Sequence, residues 1–135
     1  IAGVGYVAFG FCYGVIYTAV THGEPPPQST VYLIAKSKRA SAWITCLVVA
    51  VAAPIEEEIG VRGYLFDALR KRLGGKTVVV ITAAIFAGMH YSLTHFLPLF
   101  GIGLAFGWLK LKTDSVRPSM LLHMLNNAIV TAMLP

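Results

Sequence analysis

The chain has 135 residues, of which 56 % are apolar and 13 % charged, with a mean hydropathy of +0.70. Soluble domains carry about a quarter charged residues, so the composition argues against one. It predicts an all-α, polytopic membrane helix bundle: about five transmembrane or membrane-embedded helices in a single domain over residues 1–135. The net charge of +5 then reads as topology and contact with membrane lipid, not as nucleic-acid binding. Cys12 and Cys46 both sit in apolar runs, which suggests neither a disulfide framework nor a metal site.

Ile1 to Val20 is apolar and about long enough to cross a bilayer. It lacks a basic leader and a cleavage site, so it does not read as a signal peptide. A start at Ile1 instead of Met reads as part of a longer protein. Gly10 and Gly14 form a small-xxx-small pair that would allow close helix contact. His22 to Gln28 breaks the helix with Gly23 and Pro25-Pro26-Pro27, leaving His22 exposed in a loop. Ser29 to Ala40 is a loop or a short interfacial helix. Residues 1–40 thus form a first helix and loop ahead of a motif-bearing core at 41–135.

Ser41 is a plausible N-cap for a second helix. Continued to Leu69, that helix is roughly 43 Å long at 1.5 Å per residue. Pro54 should kink or restart it, which places Glu56, Glu57 and Glu58 in a first turn whose dipole favours negative charge. Arg70, Lys71 and Arg72 bring it to an interface, and Gly74-Gly75 acts as a stop signal. A third helix covers Thr77 to Ser92 and a fourth Phe96 to Leu111. Lys110 to Arg117 is a charged connection, and Pro118 to Leu134 is a fifth helix. The basic loops near 70–76 and 110–117 share one side, which positive-inside bias places in the cytoplasm or its equivalent.

Three pairs fall at i,i+4 spacing and so share a helix face: Glu58 with Arg62, Phe86 with His90, and His123 with Asn127. Glu57 is turned about 100° from Glu58. With Arg62 pairing Glu58, Glu57 is left to face the interior, so Glu58 reads as structural and Glu57 as chemical. Ionisable groups inside membrane helices are costly and mark function. A carboxylate with two imidazoles can activate water while imidazole and amide N–H groups stabilise an oxyanion. The same set, Glu57, His90 and His123, is alternatively a zinc shell, although no His-Glu-x-x-His helix occurs. His95 reads as interfacial, and Asn126 as a packing or hydrogen-bonding residue pointing away from Asn127.

Together these residues resemble the CPBP family of intramembrane proteases, the CAAX proteases and bacteriocin-processing enzymes also called Abi. The family pattern reads here as Glu57-Glu58-Ile59-Gly60-Val61-Arg62, Phe86-Ala87-Gly88-Met89-His90 and His123-Met124-Leu125-Asn126-Asn127. The family often has Phe where Val61 stands. The resemblance covers residues 43–135. It implies cleavage of a peptide bond at or within the membrane, on a peptide or lipidated-protein substrate, in a multi-pass protein of the cell membrane. By resemblance, Glu57 and His90 match the water-activating pair and His123 and Asn127 the oxyanion pair. Glu58 and Arg62 match the second glutamate and the arginine of the first motif. The glutamate mechanism needs no cofactor; a zinc-dependent version is the alternative. The competing readings are a non-catalytic scaffold or immunity protein of the same fold and, behind it, a proton or ion pathway. Straight helices would put Glu57 and His90 about 14 Å apart in depth, so the helix bearing Glu57 should be kinked or off-centre.

Overall fold

The structure, a computed structural model, describes residues 15–23 and 39–132. The described residues form five helices and no strand, as the all-α expectation requires. Residues 15–21 are helix α1. It ends at His22, which is exposed and takes a left-handed φ of 56°. The expectations for the rest of the first helix, for Cys12, for Gly10 and Gly14, and for the Pro25-Pro26-Pro27 loop lie outside the described residues.

Helix α2 is one unbroken run over 39–70. Ser41, expected as its cap, lies inside it. The run alternates in type: Arg39–Leu47 is α, Val48–Ala52 π, Ala53–Glu58 α, Ile59–Leu65 π and Phe66–Arg70 α. Pro54 does not restart the helix, since Ala52 and Ala53 on its N-terminal side keep right-handed helical dihedrals. A π turn absorbs it instead. Ala53 N–H bonds Val48 O, five residues back, the i→i+5 pattern that defines a π turn. Phe66 N–H bonds Val61 O in the same way. Glu57 and Glu58 lie in the short α stretch between the two π turns. Glu57 is thus flanked on either side by a widened turn, the kind of feature at which helices bend.

Gly74 and Gly75 begin the next helix and do not terminate α2. Gly74 is extended (φ −64°, ψ 143°) and caps α3, which spans Gly75–Gly88. A Cβ on Gly75 would lie 2.6 Å from Leu111 Cδ1, so glycine here permits close packing. Helix α3 stops before the expected Ser92. Tyr91 has φ 49°, and His90 N–H reaches only three residues back, to Ala87 O at 3.3 Å. His90 therefore sits in the turn beyond the helix.

Helix α4 spans Phe96–Thr113 and α5 spans Arg117–Ala132. The Ser92 hydroxyl accepts from His95 N–H at 3.3 Å and shares a 2.7 Å hydrogen bond with His95 Nδ1, at the start of α4. Asp114 ends it in the left-handed region at φ 52°. Lys110, expected where the fourth helix passes into a charged connection, lies within the helix and is only 4 % exposed. It pairs with Asp67 of α2 at 3.0 Å, and Arg70 pairs with Asp114 at 2.8 Å, fastening one end of α2 to one end of α4.

The closest packing is between α3 and α4. A Cβ on Gly103 would stand 3.0 Å from Ala83 Cα, and one on Gly107 would stand 3.2 Å from Val79 Cγ1. Phe86, Ala87, Leu99, Ile102 and Phe106 fill the core beside this contact. Helix α5 packs on α2 and α4. Large apolar side chains face outward, among them Trp43, Ile44 and Leu47 on α2 and Leu121 and Leu125 on α5. No helix among the described residues is long and apolar enough to cross a membrane.

Candidate functional site

The site grows from the short α stretch of α2. Glu58 and Arg62 are both fully buried, and Arg62 Nη1 donates to Glu58 Oε1 at 3.0 Å. A buried pair is tolerated when further hydrogen bonds satisfy it. Arg62 Nη2 donates to Gly103 O at 3.2 Å. The guanidinium also lies against two rings, 4.5 Å from the Phe86 centroid and 5.3 Å from that of Phe106. Contacts of a cation with ring faces at such distances are attractive.

His123 comes in from α5 and meets both acids. Its Nδ1 is 3.3 Å from Glu58 Oε1, and its Nε2 is 3.8 Å from Glu57 Oε2. An ionised carboxylate only accepts, so Nδ1 donates to Glu58 and Nε2 is turned toward Glu57. The ring packs on Phe106 at 4.9 Å and on Phe86 at 5.5 Å. The two neighbouring glutamates thus have different surroundings. Glu58 is sealed between Arg62 and His123, while the Glu57 side chain is 29 % exposed. Glu57 Oε2 is nevertheless buried and makes no hydrogen bond.

His90 approaches from the end of α3. Its ring stands edge-on to Phe86 at 5.0 Å. Nδ1 lies 2.8 Å from Phe86 O. A carbonyl can only accept, so Nδ1 donates and Nε2 is the free basic nitrogen. Phe86 therefore bears His90, Arg62 and His123 together. No hydrogen bond or ion pair among the described residues joins His90 to Glu57, His123 or Asn127. Asn127 Nδ2 donates to Val49 O of α2 at 2.9 Å. Asn126 takes the hydrogen-bonding role expected of it, since its Nδ2 donates to Asn127 Oδ1 at 3.2 Å.

Among the described residues no three His, Cys, Asp or Glu side chains converge as a metal shell. The set Glu57, His90 and His123 is therefore not assembled around one point.

Sequence reasoning missed several parts of the site. The contact of His123 with Glu58, the supporting carbonyl of Gly103 and the ring of Phe106 were not anticipated. A signal existed for Gly103: with Gly107 it makes the small-xxx-small spacing that the sequence reading picked out only at Gly10 and Gly14.

Residues 39–129 match the family described as type II CAAX prenyl endopeptidase Rce1-like. The match takes in all three motifs, in agreement with the resemblance they carry. No curated protein and no solved structure matches the chain.

Proposed function

Because the chain belongs to the Rce1-like family of type II CAAX prenyl endopeptidases, we propose that it is an intramembrane endopeptidase in which Glu57 and His90 activate water and His123 and Asn127 stabilise the oxyanion. Residues 1–135 act as one multi-pass domain of the cell membrane. The apolar composition and the outward-facing Trp43, Ile44, Leu47, Leu121 and Leu125 support a lipid environment.

One observation carries the assignment of roles. Of two consecutive carboxylates, Glu58 is closed off by Arg62 and His123, whereas Glu57 is partly open and has an oxygen near His123 Nε2. Only Glu57 can reach both water and a substrate. In the reaction Glu57 takes a proton as the water oxygen bonds to the scissile carbonyl carbon. The carbonyl oxygen gains charge and is held by an Nδ2–H of Asn127 and, with the His123 Nδ1–H kept on Glu58, by a proton carried on His123 Nε2. The C–N bond then breaks as Glu57 returns the proton to the leaving amine.

The substrate is a peptide beside the membrane, with a prenylated C-terminal peptide the first to test. The full chain, reconstituted in liposomes, is assayed with a farnesylated Cys-a-a-X peptide and its unprenylated twin. Glu57→Gln should lower kcat by about 10²–10⁴ with unchanged helix content. Wild-type turnover in Glu57→Gln would refute the assignment. A non-catalytic scaffold has one observation in its favour, namely that His90 donates to its own helix at Phe86 and not to Glu57. It predicts no cleavage of either peptide by the wild-type chain.

A further inference from the structure

At the end of the first π turn of α2 the Ala53 N–H looks back five residues, to Val48 O. The next donor in that register belongs to residue 54 and its acceptor to Val49. Residue 54 is a buried proline and has no N–H. A carbonyl left without a donor inside a packed helix is unfavourable. Val49 O takes its hydrogen bond from α5 instead, from Asn127 Nδ2 at 2.9 Å.

The same contact settles how the Asn127 amide is turned. A side-chain amide has one carbonyl and two N–H donors. Val49 O can only accept, so the nitrogen faces α2. The Asn127 oxygen then faces Asn126, whose Nδ2 donates to it at 3.2 Å. Both ends of the amide are specified, and one Nδ2–H is left over. Asn127 lies one helical turn beyond His123, on the same face of α5.

We infer that Pro54 and Asn126 are positioning residues for Asn127: Pro54 leaves the Val49 carbonyl open as an anchor and Asn126 pins the other end of the amide, so that the remaining Nδ2–H is held for the oxyanion beside His123. The oxyanion role of Asn127 rests on the peptidase reading; the orientation of its amide does not.

The test uses the full chain in detergent micelles with the farnesylated peptide. Pro54→Ala restores an N–H that competes for Val49 O. It should lower kcat about tenfold or more and leave KM within about twofold, short of the roughly 10²–10³ loss from deleting an oxyanion donor. This loss is expected even though alanine is the better helix former. In an Asn127→Ala background Pro54→Ala should do nothing further to kcat. Asn126→Asp should lower kcat more than Asn126→Ala, because a carboxylate accepts only and draws the Asn127 nitrogen away from Val49. Independently of turnover, the Asn127 side-chain ¹⁵N resonance should move in Pro54→Ala and in Asn126→Asp. Fully additive kcat losses, a change in KM alone, or an Asn127 resonance unmoved by Pro54→Ala overturns the positioning role. A wild-type chain that cleaves nothing while that resonance still moves defeats the peptidase reading and leaves the amide anchor standing.

Discussion

Arg62→Met removes a charge that the fold cannot otherwise supply to Glu58. Both side chains are fully buried, and the substitution deletes the 3.0 Å bond to Glu58 and the 3.2 Å bond to Gly103 O. Taking one partner from a buried pair costs about 3–5 kcal/mol, because the other charge is left without compensation. Loss of the cation from between Phe86 and Phe106 adds about 1 kcal/mol. Methionine restores volume and a sulfur–ring contact, which offsets about 0.3–1.5 kcal/mol. His123, 3.3 Å from Glu58 Oε1, stays as a partial partner. The expected net loss is about 3–4 kcal/mol, read by SDS titration of the full chain in mixed micelles and followed by circular dichroism. Adding Glu58→Gln should recover most of it, since glutamine carries no charge and its oxygen still accepts from His123 Nδ1. If Arg62→Met costs under about 1 kcal/mol, or the double variant is no more stable than the single one, the buried pair is not what orders this part of the fold.

Three further outcomes follow from the same packing. Gly103→Ala places a Cβ against the backbone of Ala83 and should cost about 1–3 kcal/mol. Gly75→Ala meets only the movable end of Leu111 and should stay within about 1 kcal/mol; the SDS titration separates the two. Asp114→Val should be about 1–2 kcal/mol less stable than Asp114→Gly, because residue 114 is left-handed and both variants lose the same exposed pair with Arg70. Incubation with a metal chelator should leave the cleavage rate unchanged, since carboxylate and imidazole carry the water chemistry in the proposed mechanism; a loss restored by added zinc would support the zinc-dependent version instead.

The parts of this fold that depend on neighbours in sequence were legible in the residues. The pairing of Glu58 with Arg62 and the ring contact of Phe86 with His90 follow from i,i+4 spacing. Parts that depend on distant residues were not. Lys110 reads as a loop cation until Asp67, on another helix, draws it into the protein. The π turns have no local signature, since a widened turn is stable only where packing and distant donors such as Asn127 satisfy it. Gly74 and Gly75 look like a stop after a basic run. Gly74 is extended and caps α3, and two glycines after a basic run do not tell a stop from such a start. His123 was expected with Asn127 as the oxyanion pair; that it touches Glu58 depends on how α5 lies across α2.

The widened turns in α2 have a consequence for how this chain can vary. Each acts as a phase shifter in an otherwise regular screw. Each π turn absorbs one extra residue, so deleting one residue from 48–52 would let the helix close into ordinary turns with Glu57 and Glu58 facing nearly as before, whereas deleting one from the α stretch before them would rotate both by about 100° against the preceding half. The outward stripe of Trp43, Ile44 and Leu47 and the inward carboxylates are therefore indexed separately along one continuous rod. Substitutions along that stripe can retune the surface offered to its surroundings without re-aiming the acids, whereas a single insertion or deletion in the α stretch just before Glu57 would disconnect them.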